Sequence, residues 1–349
     1  MTRATIIDVA KAAGVSIQTV SRVINKGAHV SDATRRKVED AVAALGFRPS
    51  AAARSLRGGR SFQLALLFDN PSAAYFHAVY EGAKQRCAES GFRLITQSCR
   101  FGDDALVDDV RSLIAETRID GIILSPPFTD HDALIDALLA LSLPFARIAP
   151  TTRAEIGFST AIDDIGAAMA ATRHLITLGH RRIGFVIGHP DHGASVDRLA
   201  GYRRALSAEG LAPDEALIEA GRFTFGSGRE AARRLLSQRD RPTAIFASND
   251  DMAAGVLAYA HEAQIRVPEE LSIVGFDDNE VAQMVWPPLT TVHQPMHALA
   301  HAAADLLIAR PPQGAETNVR LPFELVLRGS TSAPGASQRS SSLRQSSGP

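Results

Sequence analysis

The chain has 349 residues and a formal net charge of −1, but its first 60 residues hold 11 Lys and Arg against 4 Asp and Glu, a net +7 that leaves −8 on the remainder. That length accommodates two or three domains, and neither a signal-peptide-like opening nor an 18-residue apolar run is present, so the sequence reads as a soluble, cytoplasmic protein with no membrane partner. Two cysteines, Cys87 and Cys99, are too few for a disulfide scaffold and too far apart for a Cys-x-x-Cys site, and read as buried or half-buried free thiols.

The basic end is what a phosphate-binding segment requires, since Lys and Arg displace condensed counterions from a duplex. There Thr5 is placed to cap a helix over about Ile6 to Ala13, with Asp8 favouring its positive end, and Gly14 breaks it. Ser16 caps a second helix, and Val15 and Val20 are spaced as a hydrophobic staple. Val20, Val23 and Ile24 then form its inward stripe, which turns Ile17, Gln18, Ser21, Arg22 and Asn25 outward. A third helix starts at Ser31, with Val38, Val42 and Leu45 on its core face and Gly46 at its end. Pro49 to Arg57 has a helix-forming middle closed by Gly58-Gly59; two turns are marginal alone, and a flexible Ala-rich linker is the plain alternative.

The runs Ile7-Asp8-Val9-Ala10, Gly14-Val15-Ser16, Thr19-Val20-Ser21-Arg22-Val23-Ile24-Asn25 and Val30-Ser31 resemble the helix-turn-helix headpiece of the LacI/GalR repressor family. The resemblance implies that the second helix enters the major groove, with Ile17, Gln18 and Arg22 reaching base edges and Thr5, Ser16, Thr19, Asn25 and Thr34 near phosphates. The chemistry suits those roles: Arg can grip guanine O6/N7, Gln can pair with adenine, and Ile can touch a thymine methyl. For Arg22 the bland alternative is a solvated helix charge. The resemblance further implies paired hinge helices of a homodimer in the minor groove, with Leu56 wedged into a base step and Ala53 beside it, on a pseudo-palindromic double-stranded operator.

From Phe62 onward short apolar strands alternate with helices. The clearest strands are Phe62 to Phe68, Gly121 to Leu124, Ile183 to Ile187, Thr243 to Ala247 and Leu271 to Phe276, which imply parallel βαβ units in two doubly wound lobes with a ligand between them. Polar residues directly after strands are the candidates for ligand contact: Asp69-Asn70, Ser125, Asn249-Asp250 and Asp277-Asp278, with helix capping the competing role for Asp163, Asp164 and Asp250. The resemblance continues through Gly179-His180-Arg181-Arg182-Ile183, Arg198-Leu199-Ala200-Gly201-Tyr202, Ser248-Asn249-Asp250, Gly275-Phe276-Asp277-Asp278 and Pro288-Leu289-Thr290-Thr291-Val292. It implies a periplasmic-binding-protein-like body in which Arg198, Asn249 and Asp277 bind ligand hydroxyls and Phe223 forms an apolar wall. Guanidinium, amide and carboxylate together suit vicinal hydroxyls.

Tyr75 and Phe76 could cover a sugar ring or stack on a nucleobase; Asp69-Asn70 favours a saccharide, whereas Ala73-Ala74-Tyr75-Phe76 also looks like purine-binding members. Ala149 departs from members with an Asp after the matching strand, which leaves the sugar open. Met296 and Trp286 read as core before ligand contacts. His189, Asp191 and His192 read as a solvated loop before a metal site, and no cofactor is expected.

The sequence offers no nucleotide-binding, hydrolase or metalloprotease motif, so an enzyme has nothing specific to stand on. A solute-binding protein for transport would share the two-lobed body but not the basic headpiece. The expected organisation is an all-α headpiece over 1–48, a hinge over 49–61, a two-lobed effector-binding and dimerisation body over 62–330 and a disordered Ser-rich tail over 331–349. The tail lacks the leucine heptads of a tetramerising coiled coil. The function implied is a repressor answering to a sugar, with a purine-responsive repressor as the alternative.

Overall fold

A computed structural model describes residues 4–24, 30–47, 60–312 and 317–335. The chain divides into two compact units, Met1–Phe62 and Gln63–Pro349. Asn25, the hinge residues Ala53 and Leu56, and the tail beyond residue 335 lie outside the described residues.

The first unit packs α1 (Ile6–Ala13), α2 (Ile17–Ile24) and α3 (Asp32–Ala44) around Val9, Val20, Val23, Val38, Ala41 and Phe47. Gly14 closes α1 in the left-handed conformation, φ 65°, which only glycine adopts without strain. Leu45 differs from expectation: it follows the last turn of α3 and is 39% exposed, and Phe47 fills the core in its place.

The second unit contains two sheets. In the first, β1 (Gln63–Phe68), β2 (Arg93–Ser98), β3 (Gly121–Leu124), β4 (Phe145–Ile148), β5 (Phe158–Ala161) and β11 (Asn318–Arg320) lie in the order β11-β5-β4-β3-β1-β2, all parallel. The second repeats the plan with β6 (Ile183–Ile187), β7 (Ile218–Ala220), β8 (Ala244–Ala247), β9 (Ser272–Asp277), β10 (Thr290–His293) and an antiparallel β12 (Glu324–Val326), in the order β12-β10-β9-β8-β6-β7.

Helices cover both faces of each sheet. In the first lobe α4 (Ala73–Glu89) and α12 (Met296–Ala309) pack together on one face, so closely that a Cβ at Gly82 would lie 2.1 Å from the His297 carbonyl oxygen. The opposite face, with Ala65, Leu67, Ile122 and Leu124, is covered by α5 (Leu106–Thr117) and α6 (Asp132–Ala140). In the second lobe α7 (Asp164–Thr177) and α8 (Gly193–Ala208) pair against one face, and α9 (Phe225–Leu236) and α10 (Asp250–Glu262) against the other; a short α11 (Glu280–Met284) follows β9.

The chain passes between lobes three times, after β5, after β10 and after β11. The first lobe is therefore completed by α12 and β11, which follow nearly all of the second in sequence.

The ordered body also runs further than residue 330. The Ser332 carbonyl oxygen lies 2.9 Å from Nε2 of the buried His180, and the Thr331 hydroxyl lies 3.0 Å from that of Thr290. Thr331 and Ser332, expected in the tail, are thus held by the second lobe, because their polar groups are satisfied there rather than by water.

Candidate functional sites

In the first unit the caps are built from hydroxyls. The Thr5 amide and hydroxyl donate to Asp8 at 2.8 and 2.7 Å, and these bonds hold the Asp8 carboxyl below its ordinary pKa. Ser16 accepts from the Thr19 amide at 3.1 Å, and Ser31 accepts from the Thr34 amide at 3.3 Å. Ser16, Thr19, Arg22, Ser31 and Thr34 then line one open, polar concavity, while Ile17 and Gln18 stand exposed on the same helix as Arg22. Hydroxyl caps and a cation on one surface suit a phosphate-rich partner. Thr5 is exposed at the start of α1.

In the second unit the lobes face each other across the carboxyl ends of their strands, where open parallel sheets bind ligands. The cavity between them measures about 30 Å³ and is partly open to solvent. Asn70 and Tyr75 reach it from the first lobe, beside Pro126 and Ala149. From the second lobe come Arg198, Phe223, Asn249 and Asp277, each following or ending a strand or lying on the helix after one.

Arg198 is the hub. Only 4% exposed, it donates from Nε to Asp164 at 2.8 Å, from Nη1 to the Ser248 carbonyl at 2.6 Å and from Nη2 to Gln294 at 3.3 Å, with its guanidinium over the Phe276 ring at 3.6 Å. Asp277 lies 3.9 Å from Nη1 and is also buried. Burial pushes its carboxyl up to about 7; the pull of Arg198 toward the charged form opposes this, and Asp251 and Asp164 push it higher. Asn249 both caps α10, accepting from the Met252 amide at 2.9 Å, and donates to the Phe223 carbonyl at 3.2 Å. Across the cleft the Ser72 hydroxyl donates to Asp251 at 2.7 Å.

Three of the candidates named from sequence do not reach the cavity. Asp69 accepts from the Phe101 amide at 2.8 Å and so ties down the loop after β2. Phe76 stacks on Phe68, ring centroids 4.0 Å apart, and Ser125 donates to the Leu67 carbonyl at 2.8 Å. Asp163 caps α7, accepting from the Gly166 amide at 3.0 Å, but Asp164 and Asp250 are not the capping groups expected. Asp164 is the partner of Arg198, and the fully buried Asp250 accepts from the Thr291 hydroxyl at 2.6 Å and the Asn279 amide at 2.9 Å.

Trp286 is 80% exposed rather than core, whereas Met296 is buried. Cys87 is buried and Cys99 half-buried, and burial raises both thiols to about 11. His192 is the plainest correction: it is 4% exposed and lines the cavity instead of sitting in a solvated loop. Gln294 and Ser72 were also missed. Among the described residues no cluster of His, Cys, Asp or Glu is placed to hold a metal ion, and no helix is long and apolar enough to cross a membrane.

Residues 5–50 match the family described as bacterial regulatory proteins, lacI family, and residues 172–331 match the periplasmic binding protein-like domain. The HTH-type transcriptional regulator DegA of Bacillus subtilis is 37% identical over 338 residues, 95% of this chain and 98% of that protein. The HTH-type transcriptional repressor PurR of Vibrio atlanticus is 36% identical, covering 88% of this chain and 92% of its own. The ribose operon repressor of Escherichia coli is 35% identical over 93% of this chain and 98% of its own. Among solved structures, the lac repressor dimer bound to operator and an anti-inducer superposes with a TM-score of 0.79 at 31% identity, covering 95% of this chain and all of that one.

Proposed function

The chain belongs to the lacI family of bacterial regulatory proteins, and from that premise we propose that it is a homodimeric, cytoplasmic repressor whose grip on a pseudo-palindromic operator is set by a sugar. It is a DNA-binding transcription regulator under small-molecule control and not an enzyme. Ile17, Gln18 and Arg22 read bases, and Thr5, Ser16, Thr19, Asn25 and Thr34 hold phosphates, with Leu56 and Ala53 acting at the operator centre.

The observation that carries the sugar reading is the cavity chemistry. Arg198, Asn249, Asp277, Asn70 and Gln294 alternate donors and acceptors around Phe223, and vicinal hydroxyls each need both. The ribose operon repressor among the relatives agrees with it. Tyr75 beside the same cavity favours the second reading, a flat purine base stacked on its ring.

Selection of genomic fragments by the full-length protein at moderate salt, with and without monosaccharides and purine bases, tests the proposal. We expect one enriched palindrome whose recovery changes with a sugar and which Arg22→Ala weakens by tenfold or more at unchanged effector affinity. No enrichment under any of these additions overturns it, and a response to purines alone replaces the sugar with the second reading.

A further inference from the structure

His192 stands between β6 and α8 at the N-terminal boundary of the helix that carries Arg198, yet its side chain does not cap that helix. Its ring meets Phe223 edge-on at 5.2 Å and His189 at 5.5 Å. Among the described residues no protein atom hydrogen-bonds its ring nitrogens, although the residue is 96% buried and lines the cavity. Its ring nitrogens are not among the sealed, unpartnered side-chain atoms of the described residues; they open onto the cavity, where a guest can supply the bond. Burial, reinforced by the nearby Arg198 guanidinium, pushes its pKa down to about 3, so at neutral pH it presents one donor and one acceptor and no charge.

The charge balance of the cavity points the same way. Arg198 is the one Lys or Arg among the lining residues, and its guanidinium is already committed to Asp164, to the Ser248 carbonyl and to Gln294, with Asp277 close by. A phosphate or carboxylate entering the cavity would meet no uncommitted cation and would lie beside an acidic side chain. Burying an unpaired anion there is far costlier than burying a hydroxyl.

We infer that His192 is a specificity-determining contact that exchanges hydrogen bonds with a ligand hydroxyl, and that the effector is an uncharged polyol, in preference to its phosphate ester or the corresponding sugar acid. This rests on the sugar reading above and narrows it. It also predicts a division of labour: Arg198 orders the acidic and carbonyl groups of the site, while His192 contributes the bond that only a correctly placed hydroxyl can satisfy.

Titration calorimetry on the full-length protein tests both parts, with D-ribose, neutral pentoses and hexoses, their monophosphates and sugar acids, and hypoxanthine and guanine as probes. The expected result is that a neutral sugar binds at least tenfold more tightly than its phosphate ester. His192→Ala should lower that affinity by about tenfold, His192→Gln should recover part of it, and a deoxy analogue discriminated by the parent should be accepted equally by His192→Ala. His192→Gln keeps a polar group in the site and serves should His192→Ala fold poorly. A phosphorylated or acidic sugar that binds more tightly than the neutral one overturns the ligand class, and parent-like affinity in both variants overturns the role of His192, each leaving the sugar reading intact. Binding of a purine base with no sugar overturns the sugar reading itself and the inference with it.

Discussion

Asp277 holds its proton under opposing influences, and its behaviour can be read out in solution. Its carboxyl is raised from 3.8 to about 7 by burial. In the folded protein without ligand the raised value means that stability falls as pH climbs from about 4 to about 7, since the folded state binds the extra proton across that window. A sugar hydroxyl that donates to the charged carboxylate has the opposite dependence. Effector affinity should therefore rise as pH climbs through about 7 and level off above it, and Asp277→Asn should bind more weakly and abolish the slope; a slope unchanged in that variant would assign it to another group.

Residue chemistry was only partly legible in the sequence. Arg198, Asn249, Asp277, Asn70, Tyr75 and Phe223 are each legible there as ligand-facing candidates and meet at one cavity. Gln294 was missed because it follows β10, whose Thr290-Thr291-Val292-His293 run is too short and polar to stand out as a strand. His192 was missed because a histidine next to His189 and Asp191 looks solvated until the fold supplies Phe223 above it.

At the level of elements, the strands of long apolar runs were found to within a residue, with β3 and β6 matching at both ends. Those overlooked have physical reasons. β2 lies at a sheet edge with an exposed, alternating face, and β4 carries Arg147 in an otherwise apolar run. Arg147 is nevertheless fully buried, because its guanidinium binds Asp130 at 3.0 Å and the carbonyls of Thr129, Arg153 and Thr152 at 2.6 Å each. Those bonds organise the loop after β4, and Asp130 also accepts from the Thr151 hydroxyl at 2.7 Å.

Thr151 in turn lies against the first residue of α8 in the other lobe: a Cβ at Gly193 would approach its hydroxyl oxygen to 1.9 Å. Gly193→Ala should thus hinder closure of the cleft while leaving each lobe intact. The expected outcome is a thermal midpoint close to the parent's with effector affinity reduced by tenfold or more. Equal affinity in the variant would show that this contact does not limit closure.

For the whole molecule, the proposed homodimer needs an apolar face. Met284, Trp286 and Leu327 are 74, 80 and 61% exposed. Trp286 and Leu327 adjoin in sequence two segments of the second lobe that meet, since Gly329 lies against Pro287 and Pro288 and Arg328 donates to the Leu289 carbonyl at 3.0 Å, and Met284 ends the helix just before Trp286. Apolar side chains this exposed are well suited to a subunit contact. Sedimentation should find the parent dimeric and Trp286→Glu shifted toward monomer, with operator affinity falling in parallel because two headpieces must act together. A parent tetramer would contradict the expectation drawn from the absence of leucine heptads in the tail, and an unshifted Trp286→Glu would move the interface elsewhere.

The late return of the chain to its first lobe has a consequence in time. A ribosome moving from residue 1 makes the three-helix unit early, but β11 at the edge of the first sheet is not made until residue 320. The sensor is thus among the last parts of the molecule that can exist, and a premature stop anywhere across the second lobe spoils both lobes while sparing the helices at the start. Truncated products of this gene would then keep the three helices but lose both the sensor and the proposed dimer contact, so a lone headpiece would be left with little grip on an operator.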